Sequence, residues 1–134
     1  MRMNFQVAGV KKALASVSRL CKAGNLVQFG SEAEECFIMK TVTKKKVMLV
    51  QKKGSYVVNV DFVKQVQDGH YQKVGSEMIT IDSGAEESVC PLSWGESFGL
   101  KPVQVGQEMN MINARGGKIQ HYGSRQVQFA SSVF

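Results

Sequence analysis

The chain has 134 residues, 43% of them hydrophobic and 21% charged, a balance that fits one compact domain spanning 1–134 and excludes a largely disordered chain. Its net charge of +6 comes mainly from Lys11-Lys12, Lys44-Lys45-Lys46 and Lys52-Lys53, beside expected turns and with few aromatics between them to stack on bases, so nucleic-acid binding is not favoured as the main role. No apolar run approaches the roughly 20 residues needed to span a bilayer, and Met1-Arg2-Met3-Asn4-Phe5 lacks the apolar core of a secretory leader, so the expectation is a cytoplasmic chain with no membrane partner.

Asn4 to Val10 is rich in strand formers and ends in a glycine step, which predicts a strand and then a turn. Val10, Leu14, Val17 and Cys21 follow at steps of four, three and four, the spacing of one helical face, and Gly24-Asn25 supplies a stop. Leu26 to Phe29 is a short strand candidate. From Cys36 to Val63 the pattern predicts a small antiparallel meander, with strands at Cys36–Met39, Lys46–Val50 and Ser55–Val60 and turns at Thr43-Lys44-Lys45 and Lys52-Lys53-Gly54. Lys64 to Glu77 loses the apolar rhythm and reads as a polar connector, with His70 on its surface.

Met78 to Ile81 is an apolar strand that stops at Asp82-Ser83-Gly84. Extended pieces are expected at Val103–Gln107 and Glu108–Asn113, a turn at Ala114–Gly117, and strands at Lys118–Tyr122 and Arg125–Phe129 with Gly123-Ser124 between them. The sum is mainly β with one short helix, and periodicity leaves barrel and sandwich both open. Cys21, Cys36 and Cys90, taken with His70 and His121, form no zinc spacing, so reduced thiols, no metal and no cofactor are expected.

Asp82-Ser83-Gly84 is the segment that carries chemistry. Two carboxylates held close cannot both ionise, so one takes a proton from water while its protonated partner polarises a scissile carbonyl. An aspartate in that role needs a rigid strand behind it and a tight turn after it. Ile79 and Ile81 anchor the strand, Gly84 permits the turn and the Ser83 hydroxyl is placed to lock it. Glu86 and Glu87 follow at once, and they either face the site or face solvent. Trp94 and Phe98 are read as core residues before pocket residues.

Ile81-Asp82-Ser83-Gly84-Ala85-Glu86-Glu87-Ser88-Val89 resembles the active-site strand and turn of retropepsins, and most nearly the protease segment of copia-type retrotransposon polyproteins. Asn113-Ala114-Arg115-Gly116-Gly117-Lys118-Ile119, about 30 residues downstream, occupies the place of that family's flap, the mobile hairpin that closes over substrate. Phe5 to Leu20 is similar to the segment that follows the flap in copia-type chains, where a strand leads into a short helix. Here that segment comes first.

The resemblance therefore implies a circularly permuted retropepsin-like closed β-barrel: 1–63 as the family's C-terminal half, 64–77 as the connector, and 78–134 as the half with Asp82 and the flap. It implies that Arg125–Phe129 and Asn4–Val7 are neighbours and that Phe134 lies close to Met1. With a single Asp-Ser-Gly in the chain, it further implies a homodimer in which each copy gives one aspartate, acting as an aspartic endopeptidase on a polyprotein, within the cytoplasm or a retroelement particle. Asp82 is then catalytic, Ser83, Gly84 and Ala85 form the active-site turn, and Asn113, Ala114, Arg115, Gly116, Gly117 and Lys118 cover substrate. The alternative is an inactive protease-like domain or a basic module that binds protein or nucleic acid.

Overall fold

Alternation along Met3-Asn4-Phe5-Gln6-Val7 puts Phe5 and Val7 on one face, and both are fully buried in the computed structural model, which describes residues 2–113 and 115–130. They belong to β1 (Arg2–Ala8). After β2 (Leu14–Ser16) and helix α1 (Val17–Lys22) come β3 (Asn25–Gln28), β4 (Phe37–Lys40), β5 (Lys46–Met48), β6 (Val50–Lys52) and β7 (Ser55–Gln65). Next are β8 (Tyr71–Asp82), β9 (Val89–Cys90), β10 (Lys101–Pro102), β11 (Met111–Ile112), β12 (Lys118–Ile119) and β13 (His121–Gln128). The chain is mainly β with one α-helix among the described residues.

Eight strands form one sheet in the order β10-β13-β1-β9-β2-β8-β7-β6. β1 pairs antiparallel with β13 in the register Asn4↔Gln126 and Phe5↔Arg125, the neighbourhood expected of these segments. Phe134 and Met1 lie outside the described residues. The sheet does not close into the expected barrel: among the described residues only an isolated bridge between Phe62 and Phe129, with Ala130 N–H donating to the Asp61 carbonyl at 2.9 Å, draws the end of β13 to β7. Closure needs a continuous ladder between the outer strands, and β6 and β10 instead stand as separate edges.

The region between Val10 and Cys21 departs from the single helix expected. Leu14-Ala15-Ser16 is extended and pairs in parallel with Thr80-Ile81-Asp82, and α1 begins only at Val17. The helical spacing of Val10, Leu14, Val17 and Cys21 is fortuitous, because Ala13, Ala15 and Leu20 are the buried residues while Cys21 is exposed. Parallel pairing with a distant strand overrides a weak local preference.

The meander is likewise split. β3, β4 and β5 form a separate three-stranded sheet, whereas β6 and β7 join the large one. Buried Leu49 marks the crossing, and its N–H donates to the Cys36 carbonyl at 2.9 Å. Lys53 and Gly54 both have positive φ, 49° and 80°, the geometry of a two-residue hairpin turn that matches the twist of β6 and β7.

The polar connector at 64–77 is mostly strand. β7 and β8 form a long hairpin from Tyr56↔Ile81 to Gln65↔Tyr71, with a bulge between Phe62 and Val63 and a tip at Gln67–Gly69. Both faces of its outer part meet solvent, so pairing there leaves no apolar period to read. His70 is exposed at the tip. The Ser76 hydroxyl donates to Asp61 Oδ1 at 2.7 Å and Lys73 Nζ lies 3.5 Å from the same oxygen. The Ser76 bond first, and Lys73 after it, hold the Asp61 carboxyl below its usual range.

Glycine at 123 does not break the final strands apart. It lies inside β13, where the Lys101 carbonyl of β10 approaches so closely that a Cβ would strike it. The core gathers Phe5, Ile38, Val58, Phe62, Ile79, Trp94, Val127 and Phe129. Trp94 packs against Phe5 and Phe62 at centroid distances of 4.7 and 4.9 Å, and Phe98 touches Phe62 at 5.4 Å.

Among the described residues one charged side chain sits inside. Arg125 is 5% exposed and donates to the carbonyls of Leu92, Trp94 and Gly99, which fastens the irregular 91–100 segment to β13. Arg125→Met leaves these carbonyls without their donor, and we expect a loss of about 2–4 kcal/mol in urea unfolding.

Candidate functional site

Asp82 ends β8, where Ile79 and Ile81 anchor the strand in the core. It is half-buried, and its Oδ1 accepts from Gly84 N–H at 2.9 Å. That bond is an aspartate turn, which closes the backbone over two residues and sets the carboxylate at the loop mouth. Gly84 needs no left-handed φ, and a Cβ there would meet only Asp82 Oδ1 at 3.5 Å. The carboxylate itself makes the turn tight. The Ser83 hydroxyl makes no hydrogen bond among the described residues, so it does not lock the loop as expected.

The lock is Ser16, which the sequence reading placed inside a helix. Ser16 is opposite Asp82 in the parallel β2–β8 pair and is 0% exposed. Its hydroxyl donates to the Ala85 carbonyl at 2.7 Å and accepts from Arg19 N–H at 3.2 Å, while its own N–H donates to Ser88 Oγ at 3.0 Å. One side chain thus caps α1 and holds the loop after Asp82. The sequence did carry a signal, a serine just before the true helix start.

Arg19 adds a second tie from α1. Its guanidinium pairs with Glu87, and its Nε donates to the Glu86 carbonyl at 3.3 Å. Glu87 is therefore turned to Arg19, Glu86 is exposed, and neither lines the cleft at Asp82. Beside Asp82 runs an open cleft of about 630 Å³, lined by Lys12, Leu14, Phe29, Tyr56 and Thr80 along with Ser83. Phe29 and Tyr56 pack with ring centroids 4.7 Å apart. The cleft offers one carboxylate, one ammonium and an apolar wall.

The expected flap residues form a hairpin of their own. β11 pairs with β12 as Met111↔Ile119 and Ile112↔Lys118. Asn113 shapes the turn, its Oδ1 accepting from the N–H groups of Arg115 and Gly117, both at 2.9 Å. Gly116 takes the left-handed φ of 82° that such a turn requires. Ala114 lies outside the described residues. Among the described residues, none from this hairpin or its turn lines the Asp82 cleft, so the chain by itself does not bring the hairpin to Asp82.

No cluster of three His, Cys, Asp or Glu side chains suited to a metal is found among the described residues. No helix among them is long and apolar enough to cross a membrane. Cys90 is buried, and its burial pushes the thiol up to about 11 despite nearby Arg125, so it stays protonated at neutral pH and is a poor nucleophile. Comparison with known proteins finds no matching family model, no matching curated protein and no matching solved structure.

Two measurements check the site. Ser16→Ala removes a helix cap and the donor to Ala85, and we expect about 1–3 kcal/mol of lost stability together with faster amide exchange at 83–88. With a thiol reagent at neutral pH, exposed Cys21 reacts promptly, while buried Cys36 and Cys90 react only after unfolding.

Proposed function

We propose that the chain is an aspartic endopeptidase of the retropepsin kind, active as a homodimer on peptide bonds of a polyprotein. The observation that carries the reading is the placement of Asp82: the end of a core-anchored strand, in an aspartate turn, on a loop pinned from behind by a buried serine and open to a cleft in front. A catalytic carboxylate needs this combination, since it must be held rigidly by the protein and still reach water and substrate.

The chain has one Asp-Ser-Gly. Its chemistry therefore requires the Asp82 of a second copy, brought up across a two-fold axis. The two carboxylates share one proton: the ionised one takes a proton from the bound water as it attacks the peptide carbon, and the protonated one donates to the carbonyl oxygen. The pair titrates as a unit, and cleavage falls once both are ionised, so activity leans to the acid side. The Asn113–Lys118 turn covers substrate in the dimer. The adjacency of β1 and β13 supports the exchanged order of the two retropepsin-like blocks.

A second reading rests on the lysines. Lys44, Lys45, Lys52 and Lys53 are all exposed at turns, which suits a basic module that binds nucleic acid or an acidic protein.

Asp82→Asn is expected to abolish peptide-library cleavage across pH 3–7 while leaving the circular dichroism spectrum unchanged. Cleavage by that variant at the wild-type rate sinks the protease reading. A strictly monomeric protein whose nucleic-acid binding weakens steeply with salt turns the choice to the second reading.

A further inference from the structure

His121 is the second buried ionisable side chain of β13, at 6% exposure, and nothing in the protease reading uses it. Its ring joins three segments. Nδ1 accepts from Met109 N–H at 3.0 Å, and Nε2 lies 2.9 Å from Gln6 Oε1 and 3.1 Å from the Gly123 carbonyl. A backbone N–H only donates, so Nδ1 is bare and the single ring proton sits on Nε2, facing two acceptors. The geometry fixes one neutral tautomer.

Met109 belongs to the limb that runs from β10 out to the β11–β12 hairpin. At its root, Val103 N–H donates to the Tyr122 carbonyl at 3.2 Å; on the return side, Gly9 N–H donates to the Gln120 carbonyl at 2.9 Å. Between these ties the outgoing limb bonds mainly to itself, as in Gln107 N–H to the Gln104 carbonyl and Gly106 N–H to Glu108 Oε2, both at 3.0 Å. Among the described residues, the Met109–His121 hydrogen bond alone joins Gln104–Asn110 to the β1–β13 ladder.

We propose that His121 is a proton-operated catch for this arm: the neutral ring holds it against the ladder, and a second ring proton releases it. Protonation places an N–H on Nδ1 directly opposite the Met109 N–H, so acceptor becomes donor and the bond is lost. The contacts on Nε2 survive, since that nitrogen donates in both states. The ring therefore stays on the ladder and the arm comes off.

Charged groups are carried by three of the elements packed about the ring. From β10, Lys101 lines the same cleft as His121. From the arm, the Glu108 carboxylate is engaged by Gly106 N–H. From β13, the Arg125 guanidinium is committed to the carbonyls of Leu92, Trp94 and Gly99. From β1 uncharged Gln6 bonds to the ring, and no carboxylate bonds to the imidazole among the described residues.

The test uses the full chain without substrate, so it stands apart from the protease reading. Amide hydrogen exchange is followed by NMR from pH 8 to pH 5 and corrected for intrinsic rates. The range is the one in which histidine charge ordinarily changes. Expected for the wild type is a roughly tenfold or greater fall in protection at Met109, with Phe5 and Val127 in the ladder and core unmoved. His121→Asn, whose Oδ1 can accept and does not titrate, is expected to flatten the response. His70→Gln, at the exposed hairpin tip, is expected to keep it. Side-chain nitrogen shifts of the wild type supply a measurement independent of any variant's folding, with Nε2 protonated at pH 8 and both nitrogens protonated at pH 5. Protection at Met109 that stays constant while the ring gains its second proton overturns the proposal, as does the opposite ring tautomer at pH 8.

Discussion

The arrangement at Asp82 depends on a single buried hydroxyl. Ser16 stands where β2 ends, where α1 begins and where the loop after β8 passes, and its bonds tie the helix and the loop to that strand end. Removing a hydroxyl from water is costly unless its partners are regained, and here one oxygen both donates and accepts. A residue with those bonds satisfied has little freedom, so strand end, helix start and loop become one rigid piece. Rigidity behind a carboxylate, with open space before it, is the condition under which a side chain can hold water and remain accessible.

Polar anchors recur through the fold. Arg125 ties the irregular 91–100 segment to β13 through carbonyls, and His121 ties the arm through a ring nitrogen. These anchors serve parts that regular pairing does not reach. The large sheet organises its strands by ladders, but β9, β10 and the connecting loops are too short to be held by ladders alone. Directional bonds to buried side chains take over where apolar contact and strand pairing give no unique position.

Much of the strand pattern was legible because alternation at Phe5-Gln6-Val7 and Ile79-Thr80-Ile81 reports one buried face directly. The Asp82 turn was legible as well, although its closure comes from the aspartate oxygen and not from the conformational freedom of Gly84. Leu14–Ser16 was misread because its partner lies more than sixty residues away at Thr80–Asp82, and local spacing happened to imitate a helix. Ser16, Arg125 and His121 could not be ranked from the sequence. Their importance lies in burial and distant carbonyls, which neighbouring residues do not encode. The outer β7–β8 hairpin escaped notice for the opposite reason, since a ribbon wet on both faces needs no hydrophobic period.

That hairpin leaves β8 with an unaccompanied side. β2 covers only Thr80 to Asp82, so from Tyr71 to Ile79 the far edge of β8 meets no strand among the described residues. Such an edge is a template on which other chains can stack. The chain carries its own deterrents: the bulge at Val74, beside Gly75, breaks the flatness of the edge, and Lys73 and Glu77 put charge along it. Resistance to edge stacking is thus written into an irregularity, and smoothing the ribbon into an ideal ladder would make it better paired within one molecule and more adhesive between molecules.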